Sequence, residues 1–136
     1  MSEISPDRVR AGMIALLLED EALIALDVEQ HLAEAGFQVV HVTSCEDAER
    51  YLADQSPDLA VIDLTLRDGI CHGVARILVE RSVPFIVHSG SNEIDDNPDH
   101  QIFQSGTWIS KPSSMADLVA MAISLTQQRY LKGAAG

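Results

Sequence analysis

Basic residues are scarce in this chain: 9 Lys and Arg stand against 21 Asp and Glu in 136 residues, a formal net charge of -12 at pH 7. A surface with that balance repels phosphate backbones and anionic headgroups, so nucleic-acid and membrane-surface binding are both disfavoured. Long apolar runs are missing too. The most hydrophobic stretches, residues 13–18 and 22–26, are separated by Glu19, Asp20 and Glu21, far short of the roughly 20 apolar residues a membrane span needs. The N-terminus has no basic segment leading into an apolar run, so no signal peptide is expected. Cysteine is limited to Cys45 and Cys71, with no C-x-x-C spacing. A core of this size needs no cross-link, so both are expected as reduced thiols of a cytoplasmic protein. The five histidines, at 31, 41, 72, 88 and 100, have no metal-ligand spacing, and structural or surface roles are expected for them. Asp95, Asp96 and Asp99 lack the glycine and terminal Glu of an EF-hand and read as a solvated loop.

What is present is a regular alternation within one domain, expected over residues 11–131, with 1–10 and 132–136 as flexible ends. Residues 13–18 form a continuous apolar run, as in a strand buried on both faces, which stops at three carboxylates. Ile24, Val28, Leu32 and Ala35 then follow helical spacing up to Gly36. Residues 37–42 read as a second strand, and Ser44 with Asp47 as a cap opening a helix that ends before Pro57. Residues 59–62 are another buried run, ending at Asp63. A turn at Asp68-Gly69 leads into a helix over about 71–81. Residues 84–87 and 106–109 give the fourth and fifth strands. Pro98 and the polar composition of residues 91–100 predict that the intervening helix is short or delayed to about Gln101. Ser114 and Asp117 can cap the last helix. Strict strand–helix alternation predicts an α/β fold with a parallel sheet covered on both faces, which binds ligands at the carboxyl ends of its strands.

Those ends carry Glu19 and Asp20, Asp63, Ser89, and Lys111. Crowded carboxylates repel unless a cation neutralises them, and hard oxygen ligands with room for water favour magnesium. A carboxylate can also attack phosphorus to form an aspartyl phosphate, provided cations offset the charge on the phosphoryl oxygens.

With Glu19-Asp20 after strand one, Asp63 after Leu59-Ala60-Val61-Ile62, Ser89-Gly90 after Pro84-Phe85-Ile86-Val87-His88, and Lys111-Pro112 after strand five, the chain resembles the receiver domain of bacterial two-component response regulators. The resemblance runs from about residue 13 to 125. It implies a flavodoxin-like (βα)5 three-layer sandwich, its five-stranded parallel sheet in the order 2-1-3-4-5. It implies Asp63 as phosphoacceptor with Lys111 and Ser89 assisting. Mg2+ would be held by Asp20, Asp63 and the Thr65 main-chain carbonyl directly, and by Glu19 mainly through water. The Lys111-Pro112 peptide would be cis. Ser89 and Trp108 would be the switch pair. Two departures stand out: Arg67 lies where the family commonly has proline, and Trp108 where tyrosine or phenylalanine is commoner.

The implied function is a phosphorelay regulator, a signalling protein rather than an enzyme with turnover. Its partners would be a histidine kinase or histidine phosphotransfer protein and an unidentified downstream protein, with homodimerisation left open. The length leaves no room for an output module, so the signal is expected to leave by protein contact. A phosphate sink or shuttle, and a pseudo-receiver that only binds partners, are the alternatives. A haloacid-dehalogenase-type phosphatase is disfavoured, because Thr65 replaces the acid/base carboxylate two residues after the nucleophile.

Overall fold

In a computed structural model, residues 12–90, 97–111 and 114–135 are described, with side chains of the last helix to Arg129. The elements are β1 (Ile14–Leu18), α1 (Ala22–Glu34), β2 (Gln38–Val42), α2 (Cys45–Asp54), β3 (Leu59–Ile62), α3 (His72–Glu80), β4 (Phe85–Ser89), a 3-10 helix η1 (Pro98–Ser105), β5 (Thr107–Ser110) and α4 (Met115–Ala135). All strand pairs are parallel, in the order β2-β1-β3-β4-β5. The expected fold class and strand order are both found.

Side chains alternate across a strand, so each central strand feeds two cores. Leu16, Leu18, Ala60, Ile62, Phe85 and Val87 pack with Leu52 of α2, Leu78 of α3 and Phe103 of η1. Ala15, Leu17, Leu59, Val61 and Ile86 pack with Val28 and Leu32 of α1 and Leu118 and Ala122 of α4. This double coverage explains why β1 and β3 read as unbroken apolar runs.

Local signals set the boundaries. Ser44 Oγ accepts a hydrogen bond from the Asp47 amide at 3.1 Å, the expected cap of α2. The delayed fourth helix starts at Pro98, where Asn97 Oδ1 accepts from the Asp99 amide at 2.9 Å, and it stays 3-10 throughout. Residues 91–96, including Asp95 and Asp96, lie outside the described residues, as do Pro112 and its peptide bond. Glycine stands at 106, between η1 and β5, where a Cβ would collide with the Phe85 ring. Helical backbone in α4 reaches Ala135, past the boundary expected at 131. No proline interrupts it, and Ala134 and Ala135 favour helix. Among the described residues no helix is long and apolar enough to cross a membrane.

One expectation is overturned. Cys45 and Cys71 are not free thiols but form a disulfide, with Cα atoms 5.2 Å apart across a sequence separation of 26. Cys45 opens α2 and Cys71 is the N-cap of α3. Both helices follow strands of one parallel sheet and lie on the same face of it, so their amino ends meet at the sheet's carboxyl edge.

The opposite edge is clasped by polar contacts. Asp58 accepts from the Ile14 amide at 2.8 Å and from Arg129 Nη1 at 3.2 Å. Arg129 Nε also donates to the carbonyl of Ser82, which turns the chain after α3 in a left-handed conformation (φ 57°).

Candidate functional site

The chain leaves β1 toward β2 on one side and returns to β3 on the other. A crevice therefore opens outside the carboxyl ends of β1 and β3, where such sheets bind ligands. Glu19 and Asp20 follow β1, and Asp63 follows β3. The Asp63 amide donates to the Leu18 carbonyl at 3.0 Å, extending the ladder and setting the two acidic ends side by side. One carboxylate oxygen from each of Glu19, Asp20 and Asp63 lies within 4.8 Å of the others.

Lys111 reaches into this group from the end of β5. Its Nζ donates to Glu19 Oε1 at 2.7 Å and to Asp63 Oδ2 at 3.2 Å. Its amide donates to the Ser89 carbonyl at 2.8 Å, which fixes the lysine backbone to the end of β4. The three groups differ in access: Glu19 is buried, Asp63 half-buried and Asp20 exposed. The other Glu19 oxygen accepts from the Glu21 amide at 3.1 Å. Asp63 Oδ1 accepts from the Thr65 amide at 3.3 Å.

Burial, and then the Glu19 charge, raise the Asp63 carboxyl above its ordinary value; the Lys111 charge and hydrogen bond and the Thr65 amide oppose this without cancelling it. Burial alone would lower the Lys111 amine, but its hydrogen bonds and the two carboxylate charges outweigh burial and raise it. His88, buried in β4, is lowered by burial and by Lys111, with Asp63 opposing. The site is thus a strained balance of two close carboxylates against one ammonium, with a third carboxylate at the solvent side.

Glu19, Asp20, Asp63 and Lys111 are brought together as the strand ends predicted. Ser89 is buried at the end of β4, in register with Ser110. Trp108 sits in β5, in register with Val87. It is half-buried against the core shared with α2 and α3, and its Nε1 donates to the Phe103 carbonyl at 3.0 Å.

Two supports were missed. His41 Nε2 donates to the Glu19 carbonyl at 2.7 Å, holding the rim from the edge strand. Asp68 accepts from the amides of Cys45 at 2.8 Å and Glu46 at 3.2 Å, capping a helix far from it in sequence. The usable signal was Asp68's residue type, common at helix caps; nothing local says which helix it serves.

The response regulator receiver domain family model matches residues 15–123. The transcriptional regulatory protein PdtaR of Mycobacterium tuberculosis is 30% identical over 118 residues, covering 85% of this chain and 57% of that protein. PrrA of Mycobacterium bovis is 26% identical over 116 residues, covering 84% of this chain and 50% of that protein. The chain thus spans about half the length of these curated relatives. Among solved structures, a CheY-like receiver domain from Methylobacillus flagellatus superposes with a TM-score of 0.71 at 25% identity, covering 85% of this chain and 99% of that one. The receiver domain of a Pseudomonas aeruginosa sensor histidine kinase, with a magnesium ion coordinated in its active site cleft, has a TM-score of 0.71 at 24% identity, covering 86% and 99%.

Proposed function

Because the chain belongs to the response regulator receiver family, we propose that it accepts a phosphoryl group from a phosphohistidine donor onto Asp63, with Mg2+, and signals through altered protein contacts. The observation that carries this reading is the position of Asp63: 3.2 Å from the Lys111 ammonium and grouped with Glu19 and Asp20 within 4.8 Å. The donor set suits magnesium, being hard carboxylate oxygens whose charge one lysine leaves partly uncompensated. Glu19, Asp20 and Asp63 would hold the ion with the Thr65 carbonyl; when bound it offsets charge on the phosphoryl oxygens.

In the transfer, an Asp63 carboxylate oxygen attacks phosphorus, the phosphorus–nitrogen bond of the donor breaks, and the imidazole leaves with that electron pair and takes up a proton. Lys111 exchanges its contact with Asp63 for one with a phosphoryl oxygen. Ser89, at the end of the neighbouring strand, offers a hydroxyl to another. Glu19 keeps Lys111 in place meanwhile, through the shorter of its two bonds. The donor would be a histidine kinase or histidine phosphotransfer protein, met in the cytoplasm, and the receiver of the signal a further protein.

Incubation with candidate kinases, labelled ATP and Mg2+ tests the reading. Label is expected at one acyl-phosphate site, and Asp63→Asn is expected to abolish it while the circular dichroism spectrum is kept. Undiminished labelling of the variant moves the phosphate elsewhere. Rapid return of label to the kinase assigns the chain to the sink or shuttle reading.

A further inference from the structure

The Cys45–Cys71 bridge joins the head of α2 to the far end of the loop that leaves Asp63. We propose that it is a reversible thiol–disulfide site, through which a dithiol sets the rigidity of that loop and so the competence of Asp63. The functional consequence rests on the phosphoacceptor reading above; the thiol chemistry does not.

Leu64 and Leu66 anchor the near half of the loop in the core, whereas the segment from Arg67 to Gly69 has few ties to the rest of the molecule. Leu66 and Gly69 exchange two backbone hydrogen bonds of 2.9 Å, which close a turn at Gly69 (φ 117°) but bind the loop only to itself. Its links to α2 converge on one place. The Cys45 and Glu46 amides hold the Asp68 carboxylate, and the Cys45 sulfur bonds Cys71. The Asp68 contacts are exposed to water, where single hydrogen bonds contribute little. The covalent link is therefore the strongest tie between α2 and the segment from Arg67 to Ile70. At the loop's other end, the Thr65 amide donates to Asp63 Oδ1.

The two sulfurs differ in a way that gives the reaction a direction. Cys71 is buried, whereas Cys45 is only partly so. A thiolate of the dithiol therefore attacks Cys45 Sγ, forming a mixed disulfide and breaking the Cys45–Cys71 bond. The electron pair leaves on Cys71, at the amino end of α3, whose first turn holds no acidic residue. The opposite departure would place the charge on Cys45, beside Glu46, Asp47 and Asp68. The second thiol of the dithiol then releases Cys45. The dithiol loses two electrons and two protons, and the protein gains two thiols. A low-molecular-weight disulfide reverses the exchange. Where a disulfide forms in a reducing compartment it is commonly transient, catalytic or sensing.

The test uses dithiothreitol as the dithiol and acetyl phosphate with Mg2+ as a kinase-free phosphodonor. Reduction under native conditions is expected to expose two alkylatable thiols and to speed amide hydrogen exchange at residues 65–70. It is also expected to slow labelling of Asp63 by about tenfold, the scale of a modest misplacement at a reacting centre. Cys45→Ser, at the less buried position, should match the reduced wild type and no longer respond to dithiothreitol. The inference is overturned if the disulfide resists reduction while the protein is folded, if exchange and labelling are equal in both states, or if Cys45→Ser still responds. Redox-dependent exchange with no labelling in either state supports the thiol site and overturns the phosphoacceptor reading instead.

Discussion

The two faces of the sheet are built on different plans. Against one lie α1 and α4, of 13 and 21 residues, which close their core by apolar packing. Against the other lie shorter pieces, α2 of 10 residues, α3 of 9 and the 8-residue η1, together with the disulfide and the hydrogen-bonded Trp108. The first face is closed by two long helices; the second, which holds the larger set of buried apolar residues, is assembled from three short elements joined by specific links. Specific links can be made and unmade one at a time, so a conformational signal from the acidic rim has more ways to spread across the second face.

The largest expected effects test that contrast in stability. Leu118→Ala, at a fully buried site under α4, should cost about 2–5 kcal/mol in urea denaturation and leave the native emission of Trp108 unchanged. Reducing the disulfide should cost about 3.5 kcal/mol from the entropy of its loop, given the separation of 26 residues, while changing exchange only on the second face. A Trp108 response to Leu118→Ala would mean the faces are coupled and break the comparison.

At the rim the effects are smaller. Asp20→Ala removes an exposed carboxylate from the group of three and should weaken Mg2+ affinity at least about tenfold by titration, with little effect on folding. Equal affinity would place the ion elsewhere.

The raised Asp63 carboxyl gives a pH test. A carboxyl that holds its proton more tightly when folded stabilises the fold as pH falls through its raised folded value toward the ordinary 3.8, and destabilises it as pH rises through that window. Metal-free Asp63→Asn should therefore melt about 3 °C above wild type at pH 7, with the gap closing as the pH is lowered through the window. A lower melting point for the variant would show that the Lys111 contact outweighs burial and the Glu19 repulsion.

The smallest effect is spectroscopic. Trp108 is tied to the Phe103 carbonyl at the end of η1, so a rearrangement that begins at Ser89 either breaks that bond or carries η1 along. A phosphate mimic with Mg2+ should shift Trp108 fluorescence, and Ser89→Ala should suppress the shift more than it suppresses labelling. An unchanged spectrum, with unchanged exchange across residues 97–111, would remove the switch from this face.

Much of this was legible in the sequence for a simple reason: β1 and β3 are covered on both sides, so their apolar runs are continuous and stop where the acids begin. The edge strand β2, only partly buried, gave a weaker pattern. The site followed because each of its residues ends a strand, and parallel topology alone brings Lys111 to Glu19 across a separation of 92. No such rule covers Cys45 with Cys71, or Asp68 with the head of α2. Those pairs depend on the separation of two helix ends on one face, a distance that no local pattern encodes.

The contacts of Asp58 and Arg129 have a mechanical consequence. They join the first amide of β1, the segment entering β3, the turn after α3 and the last helix at a single point on the edge away from the acids. These ties add to the ladder hydrogen bonds in holding β1 and β3 in register at that edge. Motion that starts at the rim therefore meets least resistance in the loops and helix ends that leave it.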